Sequence, residues 1–108
     1  MSQRVQVSPT RFRVPDVCAI FVSDPVEPIA KRSPFLCVEV LCAVDTAARL
    51  DEKLSDYFQM GVRYVWVLDP LARRAFCYTP GKMHEVLDGT LRTKAPVIEV
   101  PLDQVFEA

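Results

Sequence analysis

Residues 35–42, FLCVEVLC, carry the strongest fold signal in the sequence. Every position but one is apolar, which is typical of an internal strand whose two faces are both covered by other elements. The exception is Glu39. An ionised carboxylate in such a strand is costly unless a cation or strong hydrogen-bond donors compensate it. We therefore expect Glu39 to be either a ligand or one half of a buried ion pair.

The chain that follows predicts a helix and then a second buried strand. Asp45 or Thr46 can cap the helix, which runs to about Met60 and ends at Gly61. Its predicted buried stripe has helical spacing and comprises Leu50, Leu54, Tyr57 and Phe58. The apolar segment YVWVL, residues 64–68, forms the next strand. A strand, a helix and a strand in this order predict a right-handed parallel crossover.

The rest of the chain predicts short elements around this crossover. These are extended segments at 5–7 and 11–22 joined by a hairpin turn at 8–10, a loop at 23–34, strands at 74–79 and 83–87, and a closing helix at 102–106.

Composition limits the classes of protein that fit. A chain of 108 residues, half of them apolar, predicts one domain over residues 1–108. The charge is balanced, with 13 Lys and Arg against 14 Asp and Glu, which excludes a strongly basic nucleic-acid binder. No apolar run is long enough to span a bilayer, so we expect no membrane segment. The N-terminus alternates polar and apolar residues and has no continuous apolar core typical of a secretory signal, so we expect a cytoplasmic protein. The lone His84 is expected at the surface. Without a CxxC pair, the cysteines predict buried structural thiols at Cys18, Cys37, Cys42 and Cys77.

Three residues could form a catalytic centre. If the strands that carry Asp16 and Glu39 pair, the two carboxylates lie roughly 5 Å apart, which is close enough to share a divalent cation. Lys53 borders the buried stripe of the helix and can reach the same place. Its ammonium could orient an attacking water or stabilise charge on a phosphoryl oxygen. Tyr57, one turn further on, would flank this site.

Four segments resemble, in order and spacing, the Uma family, a bacterial group described as restriction endonucleases within the PD-(D/E)XK nuclease superfamily. They are VPDV at 14–17, VEVL at 38–41, EKLSDY at 52–57 and GVRYVWVLDP at 61–70. The resemblance covers about residues 11–80 and, weakly, the tail to Phe106. It implies a restriction-endonuclease-like fold, in which helices flank a mixed β-sheet.

The same resemblance implies a function. Asp16 and Glu39 would bind Mg²⁺ or Mn²⁺, Lys53 would be the catalytic lysine, and DNA would be the substrate. The superfamily's lysine usually lies two residues after the glutamate, where this chain has Leu41, and Lys53 on the following helix matches instead. The family usually continues the glutamate strand with Ser-Pro, whereas this chain has Cys42-Ala43.

The family's N-terminal helices and first hairpin have no counterpart in the 15 residues before Asp16. We therefore expect an N-terminally truncated fold, and a homodimer that covers the sheet surface left open.

Other interpretations stay open at this stage. Asp16 could be satisfied by backbone amides or by Arg11 or Arg13, and Glu39 could form a purely structural pair with Lys53. The chain would then be a catalytically inactive, nuclease-like module that dimerises or binds nucleic acid. An antitoxin-like regulatory partner is a third interpretation.

Overall fold

A five-stranded mixed sheet forms the centre of the protein. The computed structural model describes residues 4–8, 11–13, 17–19, 29–30, 34–42 and 46–106. The sheet has the order β3-β5-β6-β7-β8. Its strands are β3 Val17–Ala19, β5 Leu36–Val40, β6 Tyr64–Asp69, β7 Arg74–Thr79 and β8 Lys82–Glu85. Strands β5 and β6 run parallel, and the other neighbours run antiparallel. The predicted mixed sheet is confirmed.

Helix α1, Ala47–Met60, connects the two parallel strands. The Thr46 side chain accepts a hydrogen bond from the Arg49 N–H at 3.2 Å, so it is the N-cap. The helix ends at Gly61, whose φ of 104° lies in the left-handed region that favours glycine. The predicted helix and both of its ends are therefore confirmed.

The sheet is covered on both faces. One face packs against α1 through a cluster of buried residues, which are Cys37, Leu54, Tyr57, Val62, Val65 and Val67. The opposite face packs against a hairpin, β9 Thr90–Lys94 and β10 Val97–Pro101, and against the short helix α2, Leu102–Val105. Side chains alternate along β5, so Glu39 lies on the same face as Cys37, which is the face toward α1.

The N-terminal strands differ from the prediction. Strand β1, Arg4–Ser8, pairs with β2, Arg11–Arg13, which confirms the hairpin. The single strand expected over 11–22 is wrong, because β2 belongs to a separate three-stranded sheet whereas β3 pairs with β5. Pro15 lies between them in the sequence and has no N–H to donate to a continuous ladder. The loop expected at 23–34 contains β4, Ile29–Ala30, which pairs with β1.

Three further details correct the sequence analysis. Cys42 is exposed, not buried as expected, while Cys37 and Cys77 are buried as expected. The strand expected at 83–87 begins at Lys82 and ends at Glu85, and Leu87 is exposed beyond it. The hairpin of β9 and β10 was not predicted.

Neither helix in the described part of the chain is long and apolar enough to cross a membrane.

Candidate functional site

Glu39 is a buried carboxylate on an internal strand. It lies near the end of β5, where it pairs with Val67 of β6, and only 4% of its surface is exposed. The β5 strand has neighbours on both sides, so its backbone is fixed in the sheet. The alternation of β5 directs the carboxylate toward α1, where two side chains contact it.

Tyr57 and Lys53 contact different oxygens of that carboxylate. The Tyr57 hydroxyl donates a hydrogen bond to Oε1 at 2.6 Å. The Lys53 Nζ lies 3.6 Å from Oε2. Residues four apart on a helix lie on one face, one turn above the other, which explains how α1 supplies both partners. We call Glu39, Lys53 and Tyr57 the Glu39 cluster.

The two contacts differ in strength. A distance of 2.6 Å is typical of a charge-assisted O–H···O⁻ bond. The Lys53 contact at 3.6 Å is an ion pair but is too long for a good hydrogen bond. Lys53 also keeps 31% of its side chain exposed, whereas Tyr57 is 1% exposed. The cluster therefore contains one firmly held donor and one cation that remains in contact with solvent.

Asp16 lies outside the described residues, so its predicted approach to Glu39 is not tested. The nearest described pair is Val17 with Val38. Asp16 directly precedes Val17 in the sequence, and Glu39 directly follows Val38. The expected pairing of the two strands is thus confirmed up to the positions next to both carboxylates. The metal-binding and catalytic roles of Asp16, Glu39 and Lys53 stay predictions.

The donor chemistry suits a hard cation but is incomplete within the described part of the chain. Carboxylate oxygens are the ligands that Mg²⁺ and Mn²⁺ prefer. Among the described residues, however, no group of three His, Cys, Asp or Glu side chains could hold a metal ion. Of the predicted metal ligands, only Glu39 lies within the described part of the chain.

Asp56 is a buried acidic residue that the sequence analysis did not select. It is 6% exposed and immediately precedes Tyr57 on α1. It lies three residues after Lys53, near the same helix face, but this spacing did not indicate that it is buried. Asp56 is therefore a second buried carboxylate, in addition to Glu39, among the described residues.

Five other charged residues form surface ion pairs away from Glu39, and these are Arg74, Glu85, Asp88, Arg92 and Glu99. Arg74 donates two hydrogen bonds to Glu85, and these bonds hold the pKa of Glu85 below its ordinary value. Arg92 donates to Asp88, which lowers the pKa of Asp88. These pairs join strands β7 and β8 and brace the start of the C-terminal hairpin. His84 is exposed, as expected.

Fold and site together define a class. A mixed sheet with a parallel crossover, a buried glutamate on an internal strand and a lysine on the next helix is a restriction-endonuclease-like arrangement. The structure is similar to a crystal structure from Anabaena variabilis described as "a putative nuclease belonging to DUF820", with a TM-score of 0.71 and 15% identity. The similarity covers 95% of this chain and 64% of that one, so this chain spans under two thirds of its length.

The family model of Uma2, described as "Putative restriction endonuclease", matches residues 1–102, and the chain belongs to that family. This confirms the resemblance found in the sequence, and the match is longer than the expected 11–80. No curated protein matches the chain.

Proposed function

We propose that the protein hydrolyses DNA phosphodiester bonds with Mg²⁺ or Mn²⁺. In this proposal Asp16 and Glu39 hold the cation, and Lys53 assists the attacking water. One observation carries it: the buried Glu39 directs Oε2 toward a partly exposed lysine at 3.6 Å. An ammonium at this distance is bound weakly, so replacing it with another cation costs little free energy.

Each residue has a distinct role in the proposal. Glu39 keeps a negative charge fixed at the end of β5, and its low exposure strengthens its attraction for a cation. Lys53 donates hydrogen bonds from Nζ to the water or to a phosphoryl oxygen, where negative charge develops in the transition state. A divalent cation, when bound, supplies Lewis-acid polarisation of the phosphoryl group.

Cation binding tests the proposal most directly. Mn²⁺ is titrated calorimetrically into the wild type, Glu39→Gln and Glu99→Gln. Glu99 is the matched control, because it is a carboxylate on the C-terminal hairpin that is paired with Arg92. We expect binding to the wild type and the control and none to Glu39→Gln. Absence of Mn²⁺ binding to the wild type would overturn the proposal and favour a purely structural pair of Glu39 and Lys53.

Cleavage of supercoiled plasmid DNA gives the second readout. The wild type should nick the plasmid with Mg²⁺ and stop when the cation is chelated, and Glu39→Gln should be inactive. DNA binding without cleavage by the wild type would instead support the inactive, nucleic-acid-binding module. The homodimer expected from the sequence stays a prediction, which sedimentation of the purified chain checks.

A further inference from the structure

We infer that Tyr57 is a positioning residue that fixes the carboxylate of Glu39 so that Oε2 is the oxygen presented to a cation. This inference rests on the proposed function. It assigns to Tyr57 a role that is exerted through the Glu39 carboxylate.

The Tyr57 hydroxyl holds one oxygen of the Glu39 carboxylate. The Tyr57 hydroxyl donates to Oε1 at 2.6 Å, the short distance expected when the acceptor is ionised. Tyr57 is 1% exposed, so water does not compete for this bond. Its ring packs in the buried cluster beneath α1, with Leu54 and Val62 among its members. Packing thus fixes the ring, and the hydroxyl fixes the carboxylate.

The two oxygens of the Glu39 carboxylate have different surroundings. Oε1 is held by a buried donor, whereas Oε2 faces Lys53, whose side chain is 31% exposed. A long, partly exposed lysine can adopt other rotamers, but the packed tyrosine cannot. Of the two contacts, therefore, the one at Oε2 can give way to an incoming cation while the one at Oε1 persists.

Partners that hydrogen-bond to a ligating carboxylate orient it, and their removal typically weakens metal binding by about 10- to 100-fold. Tyr57→Phe removes only the hydroxyl and keeps the ring in the core. We therefore expect Tyr57→Phe to weaken Mn²⁺ binding by about 10- to 100-fold while the variant remains folded.

The matched control is Tyr78→Phe. Tyr78 packs against the same cluster beneath α1 and loses the same atom, but it has no contact with Glu39 among the described interactions. Its Mn²⁺ dissociation constant should equal that of the wild type. If Tyr57→Phe also binds Mn²⁺ as the wild type does, the inference is overturned and the proposed function stands. If the wild type binds no Mn²⁺, both fail.

A second measurement does not depend on the folding of Tyr57→Phe. The chain has three tyrosines, so the double variant Tyr64→Phe/Tyr78→Phe retains Tyr57 alone. Titration with Mg²⁺ should shift the near-ultraviolet absorption of this phenol, because its acceptor becomes less negative. The midpoint should equal the Mg²⁺ dissociation constant from calorimetry. Saturation with Mg²⁺ without a shift would contradict the inference.

Discussion

Lys53 and Tyr57 lie one helical turn apart and contact the two oxygens of one carboxylate, at 3.6 Å and 2.6 Å respectively. The helix thus provides a cation and a neutral donor to the same group. The two partners would affect a metal ion bound at Oε2 differently. The Lys53 ammonium would repel it, whereas the Tyr57 hydroxyl would not.

Removing the ammonium should tighten cation binding and abolish cleavage. In Lys53→Met the apolar stem remains, but the positive charge beside Oε2 is lost. Repulsion at a partly exposed site is worth about 1 kcal/mol, so Mn²⁺ should bind roughly fivefold more tightly. Calorimetry and plasmid cleavage measure the two effects. Weaker Mn²⁺ binding in Lys53→Met would show that the lysine does not compete with the metal. Lys82→Met, on β8, is the control.

The hydrogen bond from Tyr57 should contribute measurably to stability. Tyr57→Phe removes the hydrogen bond to Oε1 of the buried carboxylate, and a hydrogen bond to a charged acceptor contributes about 1.5–3 kcal/mol. In a Glu39→Gln background the same substitution should cost only about 0.5–1.5 kcal/mol, because the acceptor is neutral. Urea unfolding of the four proteins gives the coupling energy. Equal costs in both backgrounds would mean that the charge of Glu39 is irrelevant to the bond.

The end of α1 should be sensitive to a side chain at position 61. Gly61 has φ of 104°, and a residue with a Cβ in the left-handed region costs about 1–2 kcal/mol. Gly61→Ala should therefore lower the free energy of unfolding by this amount. Gly61→Asn should cost less, since asparagine tolerates this conformation better. Thermal unfolding compares the two, and equal losses would argue against a conformational origin.

The pair of Arg74 and Glu85 should stabilise the protein at neutral pH but not in acid. The guanidinium holds the pKa of Glu85 below its ordinary value of 4.5, so the folded state favours the ionised carboxylate. The stabilisation is present above that value and disappears as the pH falls through the lower pKa of the folded state. Arg74→Met should be less stable than the wild type at pH 7, and the difference should shrink in acid. Urea unfolding at both pH values checks this, and a pH-independent difference would contradict it.

The crossover was predictable because independent signals agree there. Two apolar strands, a capping threonine, a helical stripe and a terminal glycine all indicate the same arrangement. Glu39 was identifiable because a charge interrupts an apolar strand, and Lys53 because it borders the stripe. The break between β2 and β3 had a signal in Pro15, which has no N–H for a continuous ladder, but the sequence did not show that the two strands belong to different sheets.

The C-terminal hairpin was missed for a different reason. Thr93 is buried in it, and its hydroxyl donates to the Pro96 carbonyl and accepts from the Ile98 N–H. A polar residue that is buried because its hydrogen bonds are made within the hairpin interrupts the alternation of apolar and polar residues. Strand prediction depends on that alternation. Similarly, the burial of Asp56 was not evident, because α1 carries charges of both signs and acidic residues in such a helix are ordinarily solvated.

The hydrogen bond between Tyr57 and Glu39 spans only 18 positions of the sequence. A single strand-helix segment therefore contains the acid, its donor and its counter-ion. Because both partners are on α1, an insertion or deletion between positions 39 and 53 would displace Lys53 and Tyr57 from the carboxylate together, whereas a change at either position alone would affect one contact.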